Sequence, residues 1–334
     1  KKRRRTLHKR ILFIVFTLVI VLLLVIIDSR VKFDTLSLEN MTIKDDDDVP
    51  SSPTGYSVVS YGAKGDGETD DTKAIQRAID RASNENKEVL FPPADNPYIV
   101  KGTLILKSNI KIVGYGATIY IPPNVNEIQN LLYSDAATYI DNVTIEGLSI
   151  KSDNIVVGRE GYFVDSMISN IQGIYISGIK KLTLQDVTMY NMNVGLKLGS
   201  SADGQWNEEI IIDNLSIYRS RTPMLISSTK GLTMTNSILD AEGGSDKHLH
   251  TMYISGNTSE LYFNNISCLN SPGGGIHIYN DYADKAPTKK ATFENITIDN
   301  TRVGIYVYSG AEDITINNAS ISNSDQGIDV KGAV

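Results

Sequence analysis

The sequence predicts an all-β solenoid, a right-handed parallel β-helix with one coil per repeat. A short phrase recurs seven times between Gly173 and the C-terminus, in forms such as Gly173-Ile-Tyr-Ile-Ser and Gly275-Ile-His-Ile-Tyr, at spacings of 22 to 29 residues. A second phrase, which ends in Asp or Asn, is interleaved with it at a similar period. Repeats of this length are typical of solenoids, and the apolar–polar alternation within each phrase is the period of a strand.

The N-terminus carries a basic segment followed by an apolar run. Residues 1–10 contain seven Lys or Arg, and residues 11–27 are apolar apart from Thr17. No small-residue cleavage site follows Asp28, so the pattern favours an uncleaved transmembrane anchor over a cleaved signal peptide, which is the alternative. Positive charge before the span keeps that end in the cytoplasm. We therefore expect a single-pass cell-membrane protein, with a cytoplasmic segment at 1–10, a span at 11–27 and the rest extracytoplasmic.

Residues 28–55 are polar and are interpreted as a linker, which leaves 56–334 for the β-helix domain. The linker contains four consecutive aspartates, Asp45 to Asp48, but these lack the spaced ligands and turn glycine of a calcium loop. The sequence therefore predicts no cofactor, and Ca²⁺ has no clear ligand set. The net charge of −7 argues against nucleic acid as a partner.

A glycine-rich turn beginning at Tyr61 leads into a predicted helix. Thr69 or Asp70 is the expected N-cap. We expect the helix to cover the open first coil of the solenoid, and Val89-Leu-Phe is the expected first strand. The apolar stripe of the helix consists of Ala74, Ile75, Ala78, Ile79 and Ala82.

Residues 56 to about 123, with the run Tyr61-Gly-Ala-Lys-Gly-Asp-Gly-Glu-Thr-Asp-Asp-Thr, resemble the pectate-lyase-superfamily domain of polysaccharide-active β-helix proteins, which is related to polygalacturonases and phage tailspikes. The resemblance implies the fold and a carbohydrate ligand. It does not imply one reaction, because the family contains hydrolases, lyases and binders without activity. The polygalacturonase motifs Asn-Thr-Asp and Gly-His-Gly are absent from this sequence, as is a clear Arg-x-x-Pro-x-x-Arg of calcium-dependent pectate lyases.

Strand alternation predicts which side chains leave the core. Positions aligned with Ile174 and Ile176 form inward ladders, so the residues between and after them face outward. Aromatic side chains on a flat parallel face suit sugar rings, although aromatic ladders also simply stabilise stacked coils. The candidate substrate-binding residues on this face and its preceding turns are Tyr175, Lys197, Arg219, Tyr279, Tyr306 and Tyr308.

Three of the four histidines fall within two consecutive coils, next to basic turns. β-Elimination or C5-epimerisation of a uronate needs a cation for the carboxylate, a base that reaches C5 and an acid for the leaving oxygen. The candidates are Arg219, Arg221 or Lys247 as the cation, His250 or His277 as the base, and Tyr253 as the acid. We therefore expect an acidic polysaccharide as the substrate.

Four alternatives remain open from the sequence. A glycoside hydrolase could use Asp240, Glu242 or Asp246, although nothing in the sequence pairs these carboxylates. His248 and His250 could bind a metal, but a third ligand is not evident. The charged residues could simply occupy surface turns and have no functional role. Finally, the chain could be a non-catalytic scaffold that binds a glycan beside a membrane-embedded synthase or export protein.

Overall fold

The computed structural model describes residues 55–125, 128–134, 138–153, 171–199, 205–242, 249–280 and 287–332, which lie in one compact unit, Lys44–Val334. Within these residues no helix is long and apolar enough to cross a membrane. The predicted anchor at 11–27 and nearly all of the predicted linker lie outside them. The first described strand begins at Gly55.

Two parallel sheets contain all the described strands, as a parallel β-helix requires. The larger, 13-stranded sheet contains β1 (Gly55–Ser57), β2 (Glu88–Leu90), β3 (Tyr98–Ile99), β5 (Ile110–Ile121), β7 (Ile140–Ser152), β9 (Ile179–Gln185), β10 (Thr188–Tyr190), β12 (Asn207–Asp213), β13 (Ser216–Tyr218), β15 (Thr229–Asp240), β17 (Thr258–Leu269), β19 (Thr288–Asp299) and β21 (Ala311–Ser322). The 9-stranded sheet contains β4 (Leu104–Ile105), β6 (Asn130–Tyr133), β8 (Gln172–Ile176), β11 (Val194–Leu198), β14 (Thr222–Ile226), β16 (His250–Ser255), β18 (Gly274–Tyr279), β20 (Val303–Val307) and β22 (Gln326–Val330).

The core lies between the two sheets and is built from the predicted ladders. In the 9-stranded sheet Met224 pairs with Met252 and Met252 with Ile276, which confirms the register read from the repeats. All three side chains are fully buried. Cys268 is also buried in this core, and burial raises the pKa of its thiol to about 12.

The two inward ladders hold for every coil except the last described one. Ile328 and Val330 of β22 align with the core positions of β20 but are 50% and 60% exposed. The prediction that they are core residues is wrong in this respect, because no further coil within the described residues covers them.

Helix α1 (Thr72–Glu85) buries the predicted apolar stripe against the first coil. Its N-cap is Asp71, not Thr69 or Asp70. Asp70 still contributes, because its Oδ1 accepts a hydrogen bond from the Thr72 backbone N–H at 3.1 Å. The prediction that Val89 lies in the first strand is also wrong. Val89 lies in β2, which pairs with the earlier strand β1. A 3₁₀ turn at Val58–Tyr61 follows β1.

Asparagines of the second repeat phrase bend the long strands at each coil. Asn236, Asn265, Asn295 and Asn318 all adopt the left-handed conformation, with φ between 52° and 58°. Asn tolerates this conformation better than most residues. Their side chains bond along the stack, as in Asn265 Nδ2 to Asn236 Oδ1 at 2.9 Å and Asn318 Nδ2 to Asn295 Oδ1 at 2.6 Å. These amides therefore hold consecutive coils together.

Candidate functional site

The outer face of the 9-stranded sheet presents one continuous column of side chains, one from each coil. Strand pairing places the residues of this column in consecutive coils, which are about 4.8 Å apart. In chain order the column is Tyr133, Tyr175, Lys197, Leu225, Tyr253, His277, Tyr306 and Asp329. The predicted outward stack is therefore confirmed, and the structure extends it towards the N-terminus by Tyr133 and its partner Ile105.

Two successive residues face the interior near the start of β18, which brings an additional position to the outer face. A Cβ built on Gly275 would lie 2.8 Å from the buried side chain of Ile298, so this position points inward, like Ile276 after it. A Cβ built on the preceding Gly274 would instead lie 2.7 Å from His250 Nδ1 and 2.9 Å from the Tyr306 ring. His250 pairs with Gly274, and it therefore reaches the same face as His277 and Tyr306.

His250 is 7% exposed and packs among aromatic rings. Its ring centroid lies 4.2 Å from that of His277, 5.7 Å from that of Tyr306 and 5.9 Å from that of Tyr253. His250 Nε2 and His277 Nδ1 are 2.7 Å apart, so one of these nitrogens donates a hydrogen bond to the other. His250 is consequently too enclosed to meet a polymer directly as it stands here.

His277 lies at the centre of the cluster and is only partly buried. Desolvation lowers the pKa of its imidazole to about 4, so the ring is neutral at pH 7. Its Nε2 is buried and has no hydrogen-bond partner among the described residues. A neutral imidazole with an unused nitrogen has the protonation state of a general base, although this nitrogen meets a substrate only when a neighbouring ring moves aside.

Tyrosines surround His277 on every side. Its ring centroid lies 5.2 Å from Tyr253, 5.4 Å from Tyr279, 5.0 Å from Tyr306 and 5.5 Å from Tyr308. Tyr253, Tyr279 and Tyr308 are partly exposed, whereas Tyr306 is 5% exposed, so its contact with a sugar stays a prediction. Tyr306 is covered because Gly274 leaves space into which both it and His250 pack.

Sequence reasoning missed the polar groups that anchor the tyrosine hydroxyls. Arg302 Nη2 donates a hydrogen bond to the Tyr306 hydroxyl at 2.7 Å. The Tyr308 hydroxyl donates to Asp329 Oδ2 at 3.1 Å, and Lys331 Nζ lies 2.8 Å from the same oxygen. The aligned repeats could have indicated Arg302. It directly precedes Val303, which pairs with Gly274, and Gly274 in turn pairs with His250.

A second aromatic group lies further along the same column, towards the N-terminal coils. The rings of Tyr133 and Tyr175 are 5.3 Å apart, and Lys197 Nζ lies 4.1 Å from the centroid of Tyr175. Tyr175 and His277 are separated by four rungs, or about 19 Å along the stack. The aromatic group and the histidine cluster therefore occupy one face, with Leu225 between Lys197 and Tyr253.

Among the predicted cations, Arg221 does not contact the two histidines directly. Arg221 precedes β14, the neighbour of β16, and no hydrogen bond, ion pair or cation–π contact links it to His250 or His277. Arg219 occupies a left-handed turn position, with φ of 52°. Lys247 lies outside the described residues, so its predicted role is untested by the structure.

Of the carboxylates of the hydrolase alternative, Asp240 and Glu242 lie among the described residues. Asp240 Oδ1 accepts hydrogen bonds from the Glu242 backbone N–H at 2.8 Å and from Asn270 Nδ2 at 3.1 Å, at the end of a strand in the other sheet. Asp246 and His248 lie outside the described residues. Within those residues, no group of three metal-ligating side chains comes together.

Comparison with known proteins identifies two family models that match this chain. A model described as rhamnogalacturonase A/epimerase, pectate lyase-like, matches residues 55–216, and one described as right-handed β-helix region matches residues 172–333. Together they cover the described domain from its first strand to its last.

Individual relatives share parts of the sequence. A mannuronan C5-epimerase of Azotobacter vinelandii, AlgE1, is 27% identical over 222 residues, which is 57% of this chain and 16% of the epimerase. A polygalacturonase of Prunus persica is 23% identical over 282 residues, 78% of this chain and 65% of that protein. This chain thus spans less than two thirds of either relative.

Among solved structures, the A-module of the Azotobacter vinelandii mannuronan C5-epimerase AlgE6 superimposes with a TM-score of 0.55 at 18% identity, covering 80% of this chain and 79% of that one. At this identity the likeness shows the fold alone. The family models, the parallel sheets and the repeat register agree, and the chain belongs to the pectate-lyase-like right-handed β-helix proteins.

Proposed function

We propose that this protein acts on an acidic polysaccharide, by β-elimination or C5-epimerisation, at the outer face around His277. The observation that carries the proposal is the convergence of three predicted residues from two adjacent coils, His250, Tyr253 and His277, on one face of the sheet. The relatives named as a mannuronan C5-epimerase and a polygalacturonase support a polysaccharide as the substrate class.

The geometry favours His277 over His250 as the base. His277 lies in the outer column between Tyr253 and Tyr306, whereas His250 is packed behind it. The low pKa of His277 keeps its imidazole unprotonated at neutral pH, which is the form that a base needs. Tyr253 is partly exposed and its ring meets His277 edge-on, so its hydroxyl is the proposed acid for the leaving oxygen.

Binding of the polymer is assigned to the same column. Lys197 above Tyr175 offers a cation beside an aromatic ring, which suits a sugar that carries a carboxylate. Arg221 and Lys247 stay the proposed cations at the reacting unit, and no cofactor is proposed.

The first test mixes the full-length chain, in mild detergent, with a panel of uronate polymers. β-Elimination produces an unsaturated sugar with its own ultraviolet absorbance, and epimerisation changes the proton NMR spectrum of the polymer. We expect one of these signals, and we expect its loss in His277→Ala and Tyr253→Phe by about 100-fold or more. Tyr190→Phe, in the 13-stranded sheet, is the matched control and should retain activity.

A glycan-binding scaffold without activity is the second candidate. It is favoured by the enclosure of both His277 nitrogens, one by His250 and the other by surrounding side chains. Binding of a uronate polymer with neither ultraviolet nor NMR change, and no new reducing ends, would establish this candidate and reject the enzyme.

The setting proposed for either function is the outer surface of the cell membrane. It rests on the basic segment 1–10 and the apolar run 11–27, and the scaffold candidate adds a membrane-embedded synthase or export protein as a partner. Cell fractionation tests the anchor: the full chain should sediment with membranes, and a variant without residues 1–27 should not. Recovery of the full chain in the soluble fraction would reject it.

A further inference from the structure

His250 and His277 make a contact that their strand register alone does not produce. The direct neighbour of His277 in β16 is Tyr253, and the direct neighbour of His250 in β18 is Gly274. The His250 ring therefore leans towards the next coil, over a position without a side chain. A Cβ at Gly274 would lie 2.7 Å from His250 Nδ1, so glycine is what permits the 2.7 Å contact between the two imidazoles.

The short contact fixes how protons are distributed over the pair. When both rings are neutral, a single proton lies between His277 Nδ1 and His250 Nε2, bonded to one and accepted by the other. If it belongs to His277, then His277 Nε2 carries a lone pair and His250 Nδ1 carries a proton. If the shared proton belongs to His250, then His277 Nε2 carries a proton and His250 Nδ1 carries a lone pair. The pair thus has two neutral states that differ by a concerted tautomer exchange.

We propose that His250 and His277 form a two-imidazole proton relay behind the outer face, in which His250 takes the proton that His277 passes on. The inference rests on the proposed function of His277 as a base. The C5–H bond of the substrate breaks as an N–H bond forms at His277 Nε2, and its electron pair moves towards the uronate carboxylate. The Nδ1–H bond of His277 breaks as an N–H bond forms at His250 Nε2. His250 Nδ1 is buried in this structure, so its proton passes to water when a neighbouring ring moves aside. No redox change occurs. The second proton of the reaction comes from the Tyr253 hydroxyl, the proposed acid, and Tyr253 then regains a proton from water, which balances the one that His250 releases.

The surroundings of the pair disfavour a stored positive charge and so favour passing the proton on. Tyr253 on β16, Tyr279 on β18 and Tyr306 on β20 enclose the rings, and Tyr308 follows β20. The nearby formal charges are Arg302 at the Tyr306 hydroxyl, and Asp329 with Lys331 at the Tyr308 hydroxyl. Burial lowers the pKa of His277 to about 4, in keeping with a pair that stays neutral at rest.

Nitrogen NMR of the full-length chain, labelled with ¹⁵N only in histidine, tests the relay without any substrate. The chain has four histidines, so the signals are few. We expect a nitrogen–nitrogen coupling through the hydrogen bond between the two rings. Gly274→Ala should abolish it by displacing the His250 ring, and Gly327→Ala should not, because a Cβ at Gly327 meets nothing within 4 Å. Two rings that lack this coupling and titrate independently would overturn the proposal.

Substitution of His250 by glutamine separates a relay from simple positioning. A glutamine carbonyl can accept the hydrogen bond from His277 Nδ1–H and hold the ring, but it cannot take up the proton. On a uronate polymer that the wild type converts, we expect His250→Gln to lower kcat about tenfold or more with little change in KM, and to alter the acidic limb of the pH profile. Unchanged kcat and pH profile would show that His250 only positions His277, which overturns the relay and leaves the proposed function intact. Absence of wild-type activity with every polymer would instead refute the proposed function, and the NMR coupling alone would then decide whether the pair shares a proton.

Discussion

The glycine-rich turn before α1 and the histidine–tyrosine cluster differ in how their buried polar groups are satisfied. In the turn, Asp71 is 1% exposed, and its two carboxylate oxygens accept the backbone N–H groups of Lys64 at 2.7 Å and Gly65 at 3.1 Å. In the cluster, His277 Nε2 is buried without a hydrogen-bond partner among the described residues. A satisfied network stabilises a fold, whereas an unsatisfied titratable atom costs free energy and is more typical of a functional site.

This difference explains why the recognisable motif and the candidate chemistry lie in separate places. The turn around Asp71 and Asp66 carries the family resemblance, yet its carboxylates are occupied in holding the backbone. Backbone N–H and hydroxyl donors lower the pKa of Asp66 to about 2, so it stays ionised and bonded at ordinary pH. The resemblance therefore reports the fold, and the reaction has to be read from the outer face.

The largest expected effect concerns the stability of the turn. Asp71→Ala should lower the free energy of unfolding by about 3 kcal/mol, because two backbone donors lose a buried charged acceptor. Asp70→Ala, at an exposed position, should cost about 1 kcal/mol or less. Urea denaturation of both variants measures the difference. Equal losses in the two variants would contradict the structural role assigned to Asp71.

The second prediction concerns the pH dependence of the cluster. The imidazole of His277 has a pKa of about 4 when folded and 6.5 as its ordinary value. As the pH falls from 6.5 to 4, the unfolded chain binds a proton at this residue before the folded chain does, so the free energy of unfolding decreases through that window. Above pH 6.5 this contribution is absent.

His277→Phe removes the titrating group and should flatten the pH dependence, while it abolishes activity. Tyr175→Phe is the control, since it changes the same face without removing an imidazole. Urea midpoints measured between pH 4 and pH 7 compare the three proteins. Parallel curves for wild type and His277→Phe would mean that His277 does not titrate as described.

The smallest expected effect concerns the distant part of the outer column. Lys197→Ala should weaken binding of a long uronate polymer by about 0.5–1 kcal/mol, or roughly two- to fivefold in KM, because one partly exposed cation is lost. Lys230→Ala, in the 13-stranded sheet, should leave KM unchanged. An equal effect of both substitutions on steady-state kinetics would show that only bulk charge matters and that the column is not the binding face.

The sequence by itself determined the coils, their register and most of the outer face. Strand alternation has a strict period of two, so repeats that align Met224, Met252 and Ile276 also determine the direction in which Tyr253 and His277 point. The buried stripe of α1 was likewise predictable, since it depends on the periodicity of apolar residues along the helix.

Only the tertiary structure decided how the side chains of different coils meet. Near the start of β18 two successive residues face inward, and this interrupts the alternation along the strand. The position of the His250 ring over Gly274 depends on that interruption. So do the burial of Tyr306 and the hydrogen bond that its hydroxyl accepts from Arg302. Strict alternation of side chains along a strand does not predict where two successive residues will both face inward. The distance between side chains on neighbouring coils depends on packing in three dimensions, and that is why the sequence placed both histidines in the site but could not predict that they touch.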